Sequence, residues 1–123
     1  DITQTRALAS RRLESLSGGE RQRVSIAAAL SQGACILLLD EPTSSIDADG
    51  QKQIYELLKK LNSEITIIVV SHDLSVILQY ATKVAHINKK LTFHTLESLK
   101  HQFPSEGEHI CEVELLEMLG RLK

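Results

Sequence analysis

Ser17-Gly18-Gly19-Glu20, Asp40-Glu41 and His72 are the residues of this chain whose types and spacing could do chemistry. A Ser followed three residues later by Glu makes a reciprocal helix cap, in which each side chain accepts from the other residue's backbone N–H. A helix opened that way with two glycines offers free N–H groups and the positive end of its dipole to an anion, with no side chain to block approach. An isolated motif of this kind is far more often only a cap. Asp40 and Glu41 follow a continuous apolar run, Cys35 to Leu39. A lone Asp there usually caps a turn, and the second carboxylate beside it changes the chemistry on offer. His72 stands just beyond another apolar run, Ile65 to Val70. A lone His at a strand end is more often structural than functional.

What these residues lack is a phosphate loop: two glycines separated by four residues and followed by Lys and Ser or Thr, so that backbone N–H groups cradle phosphates. The glycines are Gly18, Gly19, Gly33, Gly50, Gly107 and Gly120; no pair has that spacing and none precedes a Lys. The chain reads as an incomplete enzyme.

The elements that must position these groups follow from periodicity. Residues 1–12 begin without a cap and end in Arg11-Arg12, which predicts the tail of a helix. The capped helix, with Val24, Ala27 and Ala28 on one face, should run from Ser17 to about Ser31 and stop at Gly33. Cys35 to Leu39, bounded by Gly33 and Pro42, suits a strand buried on both faces, and Ile65 to Val70 a second one. Between them Ile54, Leu57, Leu58 and Leu61 fall at i, i+3, i+4 and i+7, one face of a helix, with Glu56 and Lys60 on the outer side. Strand, helix, strand is a βαβ crossover, so both strands run parallel and deliver Asp40-Glu41 and His72 to one sheet edge, where open α/β sheets bind ligands. After a helix opened by Asp73, Val84 to Asn88 and Leu91 to His94 alternate around Asn88-Lys89-Lys90 as a hairpin. Leu96 to Lys123 reads as two short helices split by Pro104 to Gly107.

With 123 residues, 42% of them hydrophobic, the chain can build a core. Its net charge of −2 comes from interspersed residues, and its aromatics are Tyr55, Tyr80, Phe93 and Phe103. No basic patch or stacking platform for nucleic acid results. Cys35 and Cys111 form no CxxC and no disulfide framework, which fits a reducing compartment. No apolar run approaches a membrane span and the polar start Asp1-Ile2-Thr3-Gln4 is unlike a signal peptide, so a membrane link would come through a partner. His86, His94, His101, His109 and Cys111 match no zinc spacing and read as ordinary histidines and thiol.

Four segments in order, Leu16-Ser17-Gly18-Gly19-Glu20-Arg21-Gln22-Arg23, Ile36-Leu37-Leu38-Leu39-Asp40-Glu41-Pro42, Ser45-Ile46-Asp47 and Ser71-His72-Asp73, resemble the ATP-binding cassette (ABC) ATPases over about residues 12 to 90. Each motif alone is weak; their order and spacing are specific. The resemblance implies the C-terminal half, from signature motif to switch histidine, of a P-loop NTPase-type α/β fold. Residues 1–15 would end the helical subdomain, 16–95 form the C-terminal half of the ATPase core, and 96–123 a helical extension. It further implies that Ser17, Gly18, Gly19 and Glu20 form the signature loop against the γ-phosphate of ATP held by an opposite subunit. Glu20 stands where the commonest family sequence has Gln.

By the same resemblance Asp40 holds Mg²⁺, usually through water, Glu41 is the general base or water-positioning carboxylate, and His72 hydrogen-bonds the γ-phosphate. Two adjacent carboxylates near a triphosphate make most sense with the metal present. Asp47 would cross to the partner subunit, although N-capping the following helix together with Asp49 is nearly as good a reading. ATP and Mg²⁺ would be the cofactors. The partners would be a second ATP-binding subunit in a nucleotide sandwich and a membrane-spanning permease, with the chain on the cytoplasmic face. The segment after His72 is faintly similar to cassettes of metal-ion importers. Two other readings stay open: a soluble non-transport ABC ATPase of the DNA-repair or translation kind, and a non-enzymatic assembly fragment. Loss of a neighbouring strand would leave Cys35 to Leu39 as a sticky edge, and self-association is expected through that edge or through residues near the amino terminus.

Overall fold

The computed structural model of the chain describes residues 2–73, 76 and 79–96. Two compact units follow one another, Asp1–Ser71 and His72–Lys123.

In the first unit the amino-terminal segment is not the tail of an α-helix. It forms a 3₁₀ turn, Arg6–Leu8, and a second one, Leu13–Ser15. Gln4 has φ +54°, and the Thr3 and Thr5 hydroxyls lie 2.9 Å apart. A left-handed residue cannot continue a right-handed helix, and side-chain bonding of this local kind competes with the helical ladder. Arg11 therefore serves a different role from the one expected: it reaches the Ser15 carbonyl at 2.7 Å and Glu20 Oε1 at 2.8 Å.

Helix α1, Gly18–Ser31, opens with the capping box that its sequence predicts. Ser17 N–H donates to Glu20 Oε2 at 2.8 Å, and Glu20 N–H donates to Ser17 Oγ at 3.2 Å. Its end is marked by Gly33 at φ +74°, the left-handed stop that glycine adopts without a β-carbon clash. The buried face differs from the expected one: Gly19 and Ile26 are buried, while Ala28 is exposed. Ile26 carries more apolar area than Val24 or the alanines, so its burial sets the rotation of the helix, and Val24 lies only half-buried.

Strand β1, Ile36–Asp40, pairs in parallel with β2, Thr66–Val70, from Ile36↔Thr66 to Asp40↔Val70. Helix α2, Ala48–Leu61, is the crossover between them and packs against α1. It buries Ile54, Tyr55, Leu57, Leu58 and Leu61. Together with Leu16, Ile26 and Leu37 these make the core of the unit, Ile26 and Ile54 being almost fully enclosed. The expectation that β1 is buried on both faces does not hold: Leu37 is buried, but Ile36 and Leu38 are 55% and 71% exposed, as are Ile68 and Val70 on the paired strand at 49% and 59%. Alternation puts these four on one face of the sheet, and no element of the described chain covers it.

The second unit contains the expected hairpin. Strands β3, Lys83–Asn88, and β4, Lys90–Thr95, pair antiparallel with Asn88↔Lys90 at the turn, where Lys89 has φ +58°. Asp73 accepts the Val76 N–H through Oδ1 at 3.4 Å; the helix expected after Asp73 falls partly outside the described residues. The two helices expected after Leu96 lie outside the described residues, as do His101, His109 and Cys111.

Candidate functional site

Two helix N-termini meet in the first unit, and the loop between β1 and α2 lies between them. An added β-carbon on Gly18 would stand 2.9 Å from the Ser45 carbonyl oxygen and 3.4 Å from the Ile46 side chain. One on Gly19 would be 3.7 Å from Ile46 Cγ2 and 3.9 Å from Gly50 Cα. Gly50 is tighter still, since a β-carbon there would approach Ile46 Cγ2 at 2.5 Å and Asp47 Oδ1 at 2.7 Å. Glycine at these positions thus lets the start of α1 close on residues 45–50. Helix geometry leaves the Gly18 and Gly19 N–H groups for an outside acceptor, because Ser17 already serves Glu20 and Arg21. Ser17, Gly18, Gly19, Glu20 and Asp47, singled out in separate motifs, therefore belong to one neighbourhood.

The capping carboxylate is also held electrostatically. Glu20 titrates below the ordinary Glu value, chiefly because the Ser17 N–H bonds its charged form, with the nearby Arg11 charge and the Ser17 and Arg11 side-chain hydrogen bonds adding to it. Asp47 occupies the N-cap position of α2 but its side chain makes no cap hydrogen bond, so the structure gives no capping role to its carboxylate.

Asp40 and Glu41 leave the carboxyl end of β1. Asp40 is the exposed last residue of the strand; Glu41 is half-buried and its N–H extends the parallel ladder to the Val70 carbonyl at 2.9 Å. Glu41 has φ +44°, a left-handed conformation that costs a non-glycine residue roughly 1–2 kcal/mol. Its backbone thus turns sharply off the strand into the buried Pro42 and Thr43. Gln51 then fastens the loop, donating from Nε2 to the Thr43 carbonyl at 3.2 Å and the Ile46 carbonyl at 3.0 Å, while Thr43 Oγ1 lies 3.4 Å from the Tyr55 hydroxyl. Gln51 was not legible as a site residue; a glutamine in the first turn of α2 carries no motif. His72 opens the second unit and is exposed.

No three His, Cys, Asp or Glu side chains converge as a ready-made metal cage among the described residues. Adjacent carboxylates without a cage suit Mg²⁺, which takes one or two carboxylates and fills its octahedron with water and phosphate oxygens. His94, read as an ordinary histidine, lies half-buried in β4 with a buried Nε2 that has no hydrogen-bond partner among the described residues. Cys35 is a free, exposed thiol. No helix of the described residues is long and apolar enough to cross a membrane.

The chain also matches known proteins in sequence and in fold. The ABC transporter family model matches residues 2–44. The chain is 52% identical over 77 residues, 63% of its length, to a probable metal transport system ATP-binding protein of Chlamydia pneumoniae, of which it covers 31%. It is 45% identical over 85 residues to the zinc uptake system ATP-binding protein ZurA of Listeria monocytogenes, covering 68% of this chain and 33% of that one. Over 119 residues, 93% of the chain, it is 46% identical to the petrobactin import ATP-binding protein FpuC of Bacillus anthracis, covering 43% of it. Among solved structures, an inward-facing metal-chelate type ABC transporter matches with a TM-score of 0.74 at 33% identity, over 80% of this chain and 40% of that one. The dimeric cassette MJ0796 with ADP and Pi matches with a TM-score of 0.63 at 31% identity, over 77% of this chain and 44% of that one. The chain spans about a third of the first two relatives and less than half of the others. In sequence and in fold the chain matches part of the ATP-binding proteins of ABC transporters.

Proposed function

We propose that this chain is the signature-to-switch portion of a nucleotide-binding subunit that couples ATP hydrolysis to solute transport, in a system for metal-ion uptake. The observation that carries the reading is the closure of the capped, two-glycine start of α1 onto the Ser45–Asp47 loop, at one end of which Asp40 and Glu41 leave the parallel sheet. The metal-ion assignment is supported by relatives whose names refer to metal transport and zinc uptake.

In this reading Ser17, Gly18 and Gly19 present backbone N–H groups and the Ser hydroxyl to the γ-phosphate of a nucleotide bound by a second ATP-binding subunit. Mg²⁺, when bound, offsets the charge of the phosphates and of the carboxylate pair. Asp40 holds the metal through water. Glu41, with its backbone pinned to Val70, positions the attacking water and accepts its proton. Asp47 reaches toward the partner subunit, and His72 donates a hydrogen bond to the γ-phosphate. The subunit docks on a membrane-spanning permease at the cytoplasmic face. Neither nucleic acid nor a solute site belongs to this portion.

Alone, the chain has no glycine and lysine cradle for the β- and γ-phosphates and is expected to be inactive. The test is Mg²⁺-ATP turnover by the 123-residue chain, with and without a polypeptide that supplies a phosphate-loop half. Turnover should require both pieces, and Glu41→Gln should lower kcat on the order of 10²–10⁴-fold. Unaided turnover that survives Glu41→Gln would overturn the assignment.

A further inference from the structure

The motif residue left without a task is Arg23. It lies one helical turn after Gly19 on the same face of α1, with Nη1 4.0 Å from the position of a Gly19 β-carbon. That same Nη1 donates to Gln53 Oε1 of α2 at 3.1 Å, an exposed side-chain hydrogen bond between the two helices. Its Nε is buried and has no acceptor among the described residues. A guanidinium offers five donors in a planar fork and is best satisfied by a two-pronged acceptor. Here it meets a neutral amide on one prong and leaves a desolvated donor unanswered, an arrangement that a helix surface does not need for stability.

We propose that Arg23 is a positioning residue: it clamps the glycine start of α1 onto α2, through Gln53, and so holds the Ser17–Gly19 N–H groups at the loop that carries Asp47. This rests on the reading of Ser17–Gly19 as phosphate-contacting. The glycines make the two helix starts close enough to touch, but contact between glycines has no side chains to lock it. Arg23 supplies the lock from one turn further along the helix.

Amide hydrogen exchange on the whole 123-residue chain tests the clamp directly. Arg23→Ala should speed exchange of the Glu20 and Arg21 amides, both bonded to Ser17, by about tenfold while the β1–β2 ladder amides change less than twofold. Gln53→Glu, which offers a carboxylate to Nη1 and Nε together, should slow the same two amides in the Arg23 background and leave them unchanged with Ala at position 23. Uniform acceleration across the unit, or an equal effect of Gln53→Glu in both backgrounds, would overturn the proposal. In the two-piece turnover assay Arg23→Ala should lower kcat with KM for ATP within about twofold, the signature of a group that acts on geometry in the reacting complex; a rise in KM alone would also overturn it. If the wild-type mixture shows no turnover, the reading of the site fails, and the exchange pattern still decides whether Arg23 is the clamp.

Discussion

Gly18 and Ser45 are in contact across the start of α1: a β-carbon on Gly18 would sit 2.9 Å from the Ser45 carbonyl oxygen. The acceptor is backbone, held in turn by the Gln51 bonds to residues on either side of it. It cannot swing away as a long side chain would. Gly18 therefore has a packing reason in addition to the anion-binding role proposed for it.

Gly18→Ala should lower the stability of the first unit by about 1–3 kcal/mol through overpacking. Gly33→Ala, where space is open but φ is +74°, should cost about 1–2 kcal/mol for conformational reasons alone. Urea midpoints measure both, and Gly33→Asn separates them because Asn tolerates the left-handed region. Equal tolerance of Ala and larger residues at position 18 would mean the contact is not built as described.

Gln51→Leu removes the donor to the Thr43 and Ile46 carbonyls while keeping apolar volume in the first turn of α2. A loss of about 1–2 kcal/mol is expected, with amide shifts concentrated at residues 43–47. Changes spread evenly over α2 would argue that the glutamine does not organise the loop.

The lowered titration of Glu20 has a definite pH consequence. Its folded-state value lies below the unfolded one, so the stability it contributes is present above the unfolded value, near pH 4.3, and is lost as pH falls through the folded value. The α1 start should loosen in that acid window. Glu20→Gln, which keeps the hydrogen-bonding shape, should flatten this part of the pH profile while leaving the neutral-pH fold intact. A profile identical in the two proteins would exclude Glu20 as its source.

Ile36, Leu38, Ile68 and Val70 expose one face of the β1–β2 sheet. The chain alone should therefore self-associate with rising concentration in sedimentation, and Leu38→Lys should reduce it. Cys35, exposed at the start of that strand, should react readily with a thiol reagent in the dilute chain and be protected when a phosphate-loop half is bound. A monomeric profile across a wide concentration range would count against the prediction.

The sequence by itself determined the elements and their order. The capping box at Ser17 and Glu20, the stop at Gly33, the α2 stripe of Ile54, Leu57, Leu58 and Leu61, the parallel β1–β2 pair and the Lys89 turn all arise from local chemistry: side-chain caps, left-handed glycine and periodicity of 3.6 or 2 act over a few residues. What only the tertiary structure decided were relations between elements. Ile26 rather than the alanines turns inward because α1 must meet α2, and one face of β1 stays exposed because burial depends on what lies opposite, which no residue of the strand encodes. Gln51 and Arg23 gain their roles the same way. Their hydrogen-bond partners lie on other segments, and a polar side chain becomes a fastener only where the fold brings an acceptor within reach.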